Sequence, residues 1–284
     1  MTRVPPRGAC DSHCHVIGPH ETYPLAQGAG DIHSHSPAIH LALLDSIGLD
    51  RALVVHPSSV YADRHDAMLD ALKAGGARYR GVAVAHADVS DAQLDNYAHA
   101  GVCALRFVEV RTPQGLRFPG SAGFEDLFKL APRLKERGMH AQVWAECADI
   151  VANARLLTGA GIPVVLDHMG RMQVAAGVAD PNFQRLLHMV ADGAFWVKLT
   201  LCRNSPAVPD YAELRPFHDA LVEANPQRLV WGSDWPHLRM GAAAPDVAAL
   251  LALFRRWVSD EAVERAILAR NPEILFGFPP AGEA

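Results

Sequence analysis

Short apolar runs recur along this chain, each separated from the next by enough residues for one helix, and that alternation constrains the fold most. The runs at 9–16, 52–56, 80–86, 102–108, 139–145, 163–167, 195–200 and 229–232 read as strands. Several, such as 52–56, are apolar throughout and carry β-branched residues, the pattern of a strand buried on both faces. Helices are predicted between them. Ser36 caps one with Pro37 at its first position, ending before Gly48. Asp63 caps a second, which Gly75-Gly76 stops, and Ser90 opens a third that ends near Gly101. Further helices are expected at 124–137, 148–158, 181–190, 211–224, 246–258 and 261–270. Eight strand–helix units in 284 residues predict an α/β fold, a single-domain (β/α)8 TIM barrel covering the whole chain. The rival is an open doubly wound sheet, but no Gly-x-Gly-x-x-Gly follows the first strand and there is no P-loop.

Composition excludes several function classes. A net charge of −5 argues against nucleic acid or an anionic membrane as the main partner. No run of 18 apolar residues is present to span a membrane, and, with no charged segment followed by an apolar core near the N-terminus, no secretory signal is expected. Five scattered cysteines without a Cys-x-x-Cys pair read as reduced thiols, so a cytoplasmic location is expected.

In a barrel of this kind the chemistry sits at the C-terminal ends of the strands. The first strand ends in Asp11-Ser12-His13-Cys14-His15, where simple alternation would put Asp11, His13 and His15 on one face. Two imidazoles one pleat apart can converge on one metal ion or one substrate oxygen. Other strand ends carry His56-Pro57-Ser58-Ser59, His86, Arg106, Trp144 with Glu146, Asp167-His168 with Arg171, and Ser233-Asp234. Arg203 and Asn204 follow the seventh strand. His56 and His86 read as scaffold, and Lys198 as a residue facing the barrel interior without a catalytic role.

Three segments carry a family resemblance. They are Asp11-Ser12-His13-Cys14-His15-Val16-Ile17-Gly18-Pro19 with Tyr23-Pro24, Leu166-Asp167-His168-Met169-Gly170-Arg171, and Trp231-Gly232-Ser233-Asp234-Trp235-Pro236-His237. Together they resemble the amidohydrolase superfamily, in its branch of pyrone-dicarboxylate hydrolases and sugar-lactone hydrolases. The resemblance implies Asp234 as general base, with His13, His15 and His168 polarising a carbonyl or holding a metal that does so.

The metal question has two sides. Binuclear members bridge their ions with a Lys or Glu at the end of the fourth strand, where this chain has Arg106, which cannot be a ligand. One divalent ion, zinc by preference, on His13, His15, His168 and Asp234 is chemically reasonable. The resembled pyrone hydrolases work without a metal, and no required cofactor is the expectation here. Arg106, Arg111, Arg171 and Arg203 fall at or beyond strand ends, and a guanidinium fork suits a carboxylate. The resemblance implies carboxylate binding by Arg106 and Arg111, and by Arg203. Ser58, Ser59 and Tyr23 offer further hydrogen bonds. The expected activity is hydrolysis of a small carboxylated lactone. The alternatives are a sugar-acid lactonase, a lactone isomerase, a zinc-dependent decarboxylase, and a non-catalytic carboxylate-binding barrel.

Overall fold

The computed structural model describes residues 4–112 and 114–282. Eight parallel strands form one sheet in sequence order: β1 (Cys10–Cys14), β2 (Arg51–Val55), β3 (Tyr79–Ala83), β4 (Val102–Val108), β5 (His140–Trp144), β6 (Val164–Leu166), β7 (Trp196–Leu199) and β8 (Leu229–Trp231). The ring closes just past β8. There the Asp234 amide donates to the His13 carbonyl at 2.8 Å and the His15 amide to the Trp235 carbonyl at 2.7 Å. The predicted (β/α)8 barrel is the observed fold.

The helices cover the outside: α1 (Pro37–Ile47), α2 (Ser58–Tyr61), α3 (Asp66–Gly75), α4 (Asp91–His99), α5 (Phe124–Glu136), α6 (Cys147–Ala152), α7 (Ala154–Gly159), α8 (Pro181–Ala191), α9 (Arg215–Ala224), α10 (Val247–Trp257), α11 (Glu261–Arg265) and α12 (Asn271–Phe276). Ser36 and Ser90 cap α1 and α4, accepting from the amides of Ile39 and Gln93. Asp63 does not cap α3, because the chain first makes the short α2 and α3 starts after His65. The single helix expected at 148–158 is two, broken at Asn153, whose side chain bonds back to the Asp149 carbonyl. No helix among the described residues is long and apolar enough to cross a membrane.

The barrel interior is layered. Cys10, Leu53, Val55, Val82, Ala104 and Val230 fill its lower half, and Phe276 and Phe278 of the C-terminal segment plug the bottom. Above that apolar plug the interior turns polar, with His140, Gln142, Lys198 and Asp167 all buried. A second, larger apolar layer packs strand outer faces such as Val54 and Leu105 against helix residues such as Leu44, Leu72 and Leu127.

β1 departs from simple alternation. Asp11 pairs with Ala52 but Cys14 with Val54, so one extra residue of β1 bulges opposite β2. The bulge resets the faces. Asp11 and Cys14 both turn outward to His40 of α1, at 3.9 Å each. His13 instead reaches Lys198 and Asp167 inside the barrel. Asp11 therefore does not share a face with His13, as period-two reading would have it.

Candidate active site

Asp234 stands where β8 gives way to its loop, with a φ of 66°, a left-handed conformation that Asp tolerates better than most residues. The preceding Ser233 is clamped from both sides. Its amide and hydroxyl both donate to the Asp11 carboxylate, and its hydroxyl accepts from the Trp235 amide. Outward-facing Asp11 thus anchors the turn that presents Asp234. One carboxylate oxygen of Asp234, Oδ1, lies 3.4 Å from both His13 Nε2 and His15 Nε2. The other, Oδ2, accepts from Arg203 Nε. Burial alone would raise this carboxyl, but the Arg203 guanidinium on Oδ2 outweighs it. Asp234 is held well below the usual carboxylate range and is ionised at neutral pH.

The histidine protonation follows from the partners. His15 Nδ1 lies 2.8 Å from the Val55 carbonyl, an acceptor only, so Nδ1 carries the proton and Nε2 faces Asp234. Beneath them sits Lys198, fully buried, with Nζ 2.6 Å from Gln142 Oε1, 3.0 Å from His13 Nδ1 and 3.1 Å from Asp167 Oδ1. Three ammonium hydrogens meet three acceptors. Donation to His13 Nδ1 leaves the proton of the neutral ring on Nε2, toward Asp234. Burial first, then the Lys198 charge, push His13 well below its usual value, so that ring is neutral. Burial likewise brings His168 down to about 3, although Asp234 and Asp167 pull the other way.

Among the described residues there are two sets of potential ligand atoms, those within each set lying within 4.8 Å of one another: His13 with His15 and Asp234, and His13 with Asp167 and His168. Both depend on His13. A metal at the first set needs the lone pair of His13 Nε2, a buried atom with no hydrogen-bond partner among the described residues. That lone pair is covered by a proton while Lys198 donates to Nδ1, and is free when the ring proton sits on Nδ1, 3.5 Å from Asp167 Oδ1. His13, His15 and Asp234 then offer one ion a nitrogen and oxygen donor set.

Above Asp234 opens a cleft of about 770 Å³, its mouth included. His15, His168 and Asp234 line it, whereas His13 is fully buried and stands under the floor. Arg106 and Arg203 line it as well, together with Ser58 and Ser59. Arg106 points Nε at Asp167 Oδ2, 2.8 Å away, and its guanidinium carbon lies 5.0 Å from the Trp144 ring. Its two Nη groups have no protein partner among the described residues. Phe118 stacks on Trp144 at 5.5 Å and, with Val108, Pro57 and Leu238, gives the cleft apolar walls.

Three expected site residues lie elsewhere. Arg111 is half-exposed and paired with Glu109 at 3.1 Å, outside the cleft lining. Arg171 is held by Glu146 at 2.8 Å and the Arg203 carbonyl. Tyr23 packs over Gly18 and donates to Asp70 at 2.7 Å, in a separate depression with Pro24 and Arg64. Conversely, Phe118, Leu238 and Arg239 line the cleft without having been singled out, because loop residues of ordinary type carry no motif or period.

Fold and strand-end geometry define a class, and comparison with known proteins agrees. An amidohydrolase family model matches residues 10–278, so the chain belongs to the amidohydrolase family. Among curated relatives, a 2-pyrone-4,6-dicarboxylate hydrolase of Comamonas testosteroni is 31% identical over 95% of this chain and 90% of its own. A 4-sulfomuconolactone hydrolase of Rhizobium radiobacter is 33% identical over 96% of this chain and 91% of its own. Among solved structures, a Pseudomonas putida protein assigned as a 2-pyrone-4,6-dicarboxylic acid hydrolase superposes with a TM-score of 0.82. It is 27% identical, over 96% of this chain and 98% of that one.

Proposed function

We propose that this amidohydrolase opens a carboxylated lactone ring by water attack on the ring carbonyl, without a metal. The observation that carries the reading is an ionised Asp234 on the cleft floor with Arg106 presenting unoccupied Nη groups to the same cleft. The relatives named for a pyrone dicarboxylate and a sulfomuconolactone support it. In this scheme Asp234 takes one proton from water as the new C–O bond forms. His168, held neutral, donates an N–H to the developing oxyanion, in a site where such donors are worth most. The bond to the ring oxygen then breaks, and the proton passes from Asp234 to that leaving oxygen. A carboxylate held this low is a weak base but, once protonated, a strong acid, which suits expulsion of an enol or alkoxide. His13 acts from below, its Nε2–H directed at Asp234. Arg106 grips a substrate carboxylate with its free fork. A cytoplasmic setting is part of the proposal, in keeping with five unpaired cysteines.

The test is turnover of a panel of carboxylated pyrones and sugar-acid lactones, before and after exhaustive chelation. Hydrolysis that survives chelation supports the scheme. Activity lost with stoichiometric zinc, and restored by it, overturns the metal-free part.

A further inference from the structure

Charge around the cleft does not balance, and the imbalance has an address. Among the described residues, three guanidiniums line it, from Arg106, Arg203 and Arg239, against one lining carboxylate, Asp234. Arg203 is paired with Asp234, and Arg106 with Asp167 beneath the floor. Arg239 has no acidic partner among the described residues. Its Nη1 donates to Ser59 Oγ at 2.9 Å, and its Nη2 donates to the carbonyls of Ala29 and Ser59 at 3.0 Å each. These acceptors come from the loop after β1 and from α2, so they fix the guanidinium at the rim without neutralising it. Nη2 spends both hydrogens on them and Nη1 one, leaving Nε–H and one Nη1–H. Burial and the nearby Arg203 charge push the Arg239 guanidinium down from its usual value, the direction an uncompensated cation takes. In a chain whose net charge is −5, such a fixed cation at a cleft mouth marks a place for an anion.

We propose that Arg239 is a specificity-determining residue that receives a second anionic group, a carboxylate or sulfonate, on a ring whose first anionic group is held by Arg106. The proposal rests on the lactonase reading for the identity of the ring, and on charge and anchoring for the role of Arg239. Cyclic dianions are thereby favoured over monoanions of the same size.

Calorimetric titration of the full chain with isophthalate and with benzoate tests this without requiring turnover, since neither has a lactone bond. Wild type is expected to bind isophthalate at least about tenfold more tightly than benzoate. Arg239→Met should cut that ratio about tenfold while leaving benzoate affinity within about threefold, and Arg239→Lys should restore part of it. An unchanged ratio overturns the proposal. So does an equal loss for both ligands with a lowered Tm, which would make Arg239 a loop staple only. Failure of the lactonase reading shows separately, as absent lactone turnover by wild type, and leaves this ratio intact.

Discussion

At the scale of single residues, Asp234 and Arg106 carry the account. Asp234→Asn keeps the size of the side chain and its contact with Arg203 but removes the base. Expected is a fall in kcat of about 10²- to 10⁴-fold with substrate affinity nearly unchanged, checked by steady-state kinetics with a parallel melt. Arg106→Met removes charge and donors while keeping much of the stem. Losing a charge-assisted bidentate contact costs roughly 2–4 kcal/mol. That is about 30- to 1000-fold in kcat/KM, selectively for the carboxylated lactone over its neutral ester. The convergence of His15, His168, Arg106 and Asp234 on one cleft was legible in the sequence, because strand ends of a barrel must meet. The depth of each residue was not. His13 looks like its neighbour His15 in sequence, yet it lies under the floor on the ammonium of Lys198. Lys198 was legible as a residue facing the barrel interior, but nothing local shows that Gln142 and Asp167 come from other parts of the barrel to meet it. Arg239 was illegible for a related reason, since only folding brings Ala29 and Ser59 to it.

At the scale of elements, the contact between β1 and β8 sets the geometry of the catalytic groups. Gly232 lies so close to β1 that an added Cβ would meet His13 Cβ at 2.7 Å and the His13 backbone nitrogen at 3.0 Å. Gly232→Ala must therefore push the two strand ends apart, displacing His13 and Asp234 together. Overpacking of this kind costs about 1–3 kcal/mol, and the tenfold-or-greater loss in kcat should exceed what the drop in Tm explains. Normal kcat in a destabilised variant would show that the His13–Asp234 spacing is tolerant. The strands themselves were legible because barrel strands are continuously apolar. The β1 bulge was not, as it depends on how Asp11 and Cys14 register with Ala52 and Val54 of β2. The break at Asn153 was missed because its residue type suits either a helix or its end, and only the back-bond to Asp149 decides.

At the scale of the whole molecule, an interior with buried histidines and paired carboxylates ties stability to pH. Burial lowers His13, His56, His140 and His168 below their usual values, His140 and His168 to about 3. The unfolded chain therefore binds more protons than the folded one once pH falls below about 6.5, and stability declines with pH from there. Asp167 and Asp234 are also depressed, outweighing burial through Lys198 and Arg106 in one case and Arg203 in the other. Their contribution is complete above about pH 4 and is lost only as pH falls through their lower folded values. Thermal melts should hold a plateau between pH 7 and 8 and lose about 5 °C or more by pH 5. A flat profile from pH 8 to 5 would mean that those histidines are not buried and neutral. The reaction is tested most directly by counting protons and carbon dioxide during turnover of a dicarboxylated 2-pyrone in weak buffer near pH 8. Ring opening by water makes one new carboxylic acid, so the account predicts about one proton released per pyrone consumed and no carbon dioxide. Consumption without net proton release, or with carbon dioxide evolved, would contradict it.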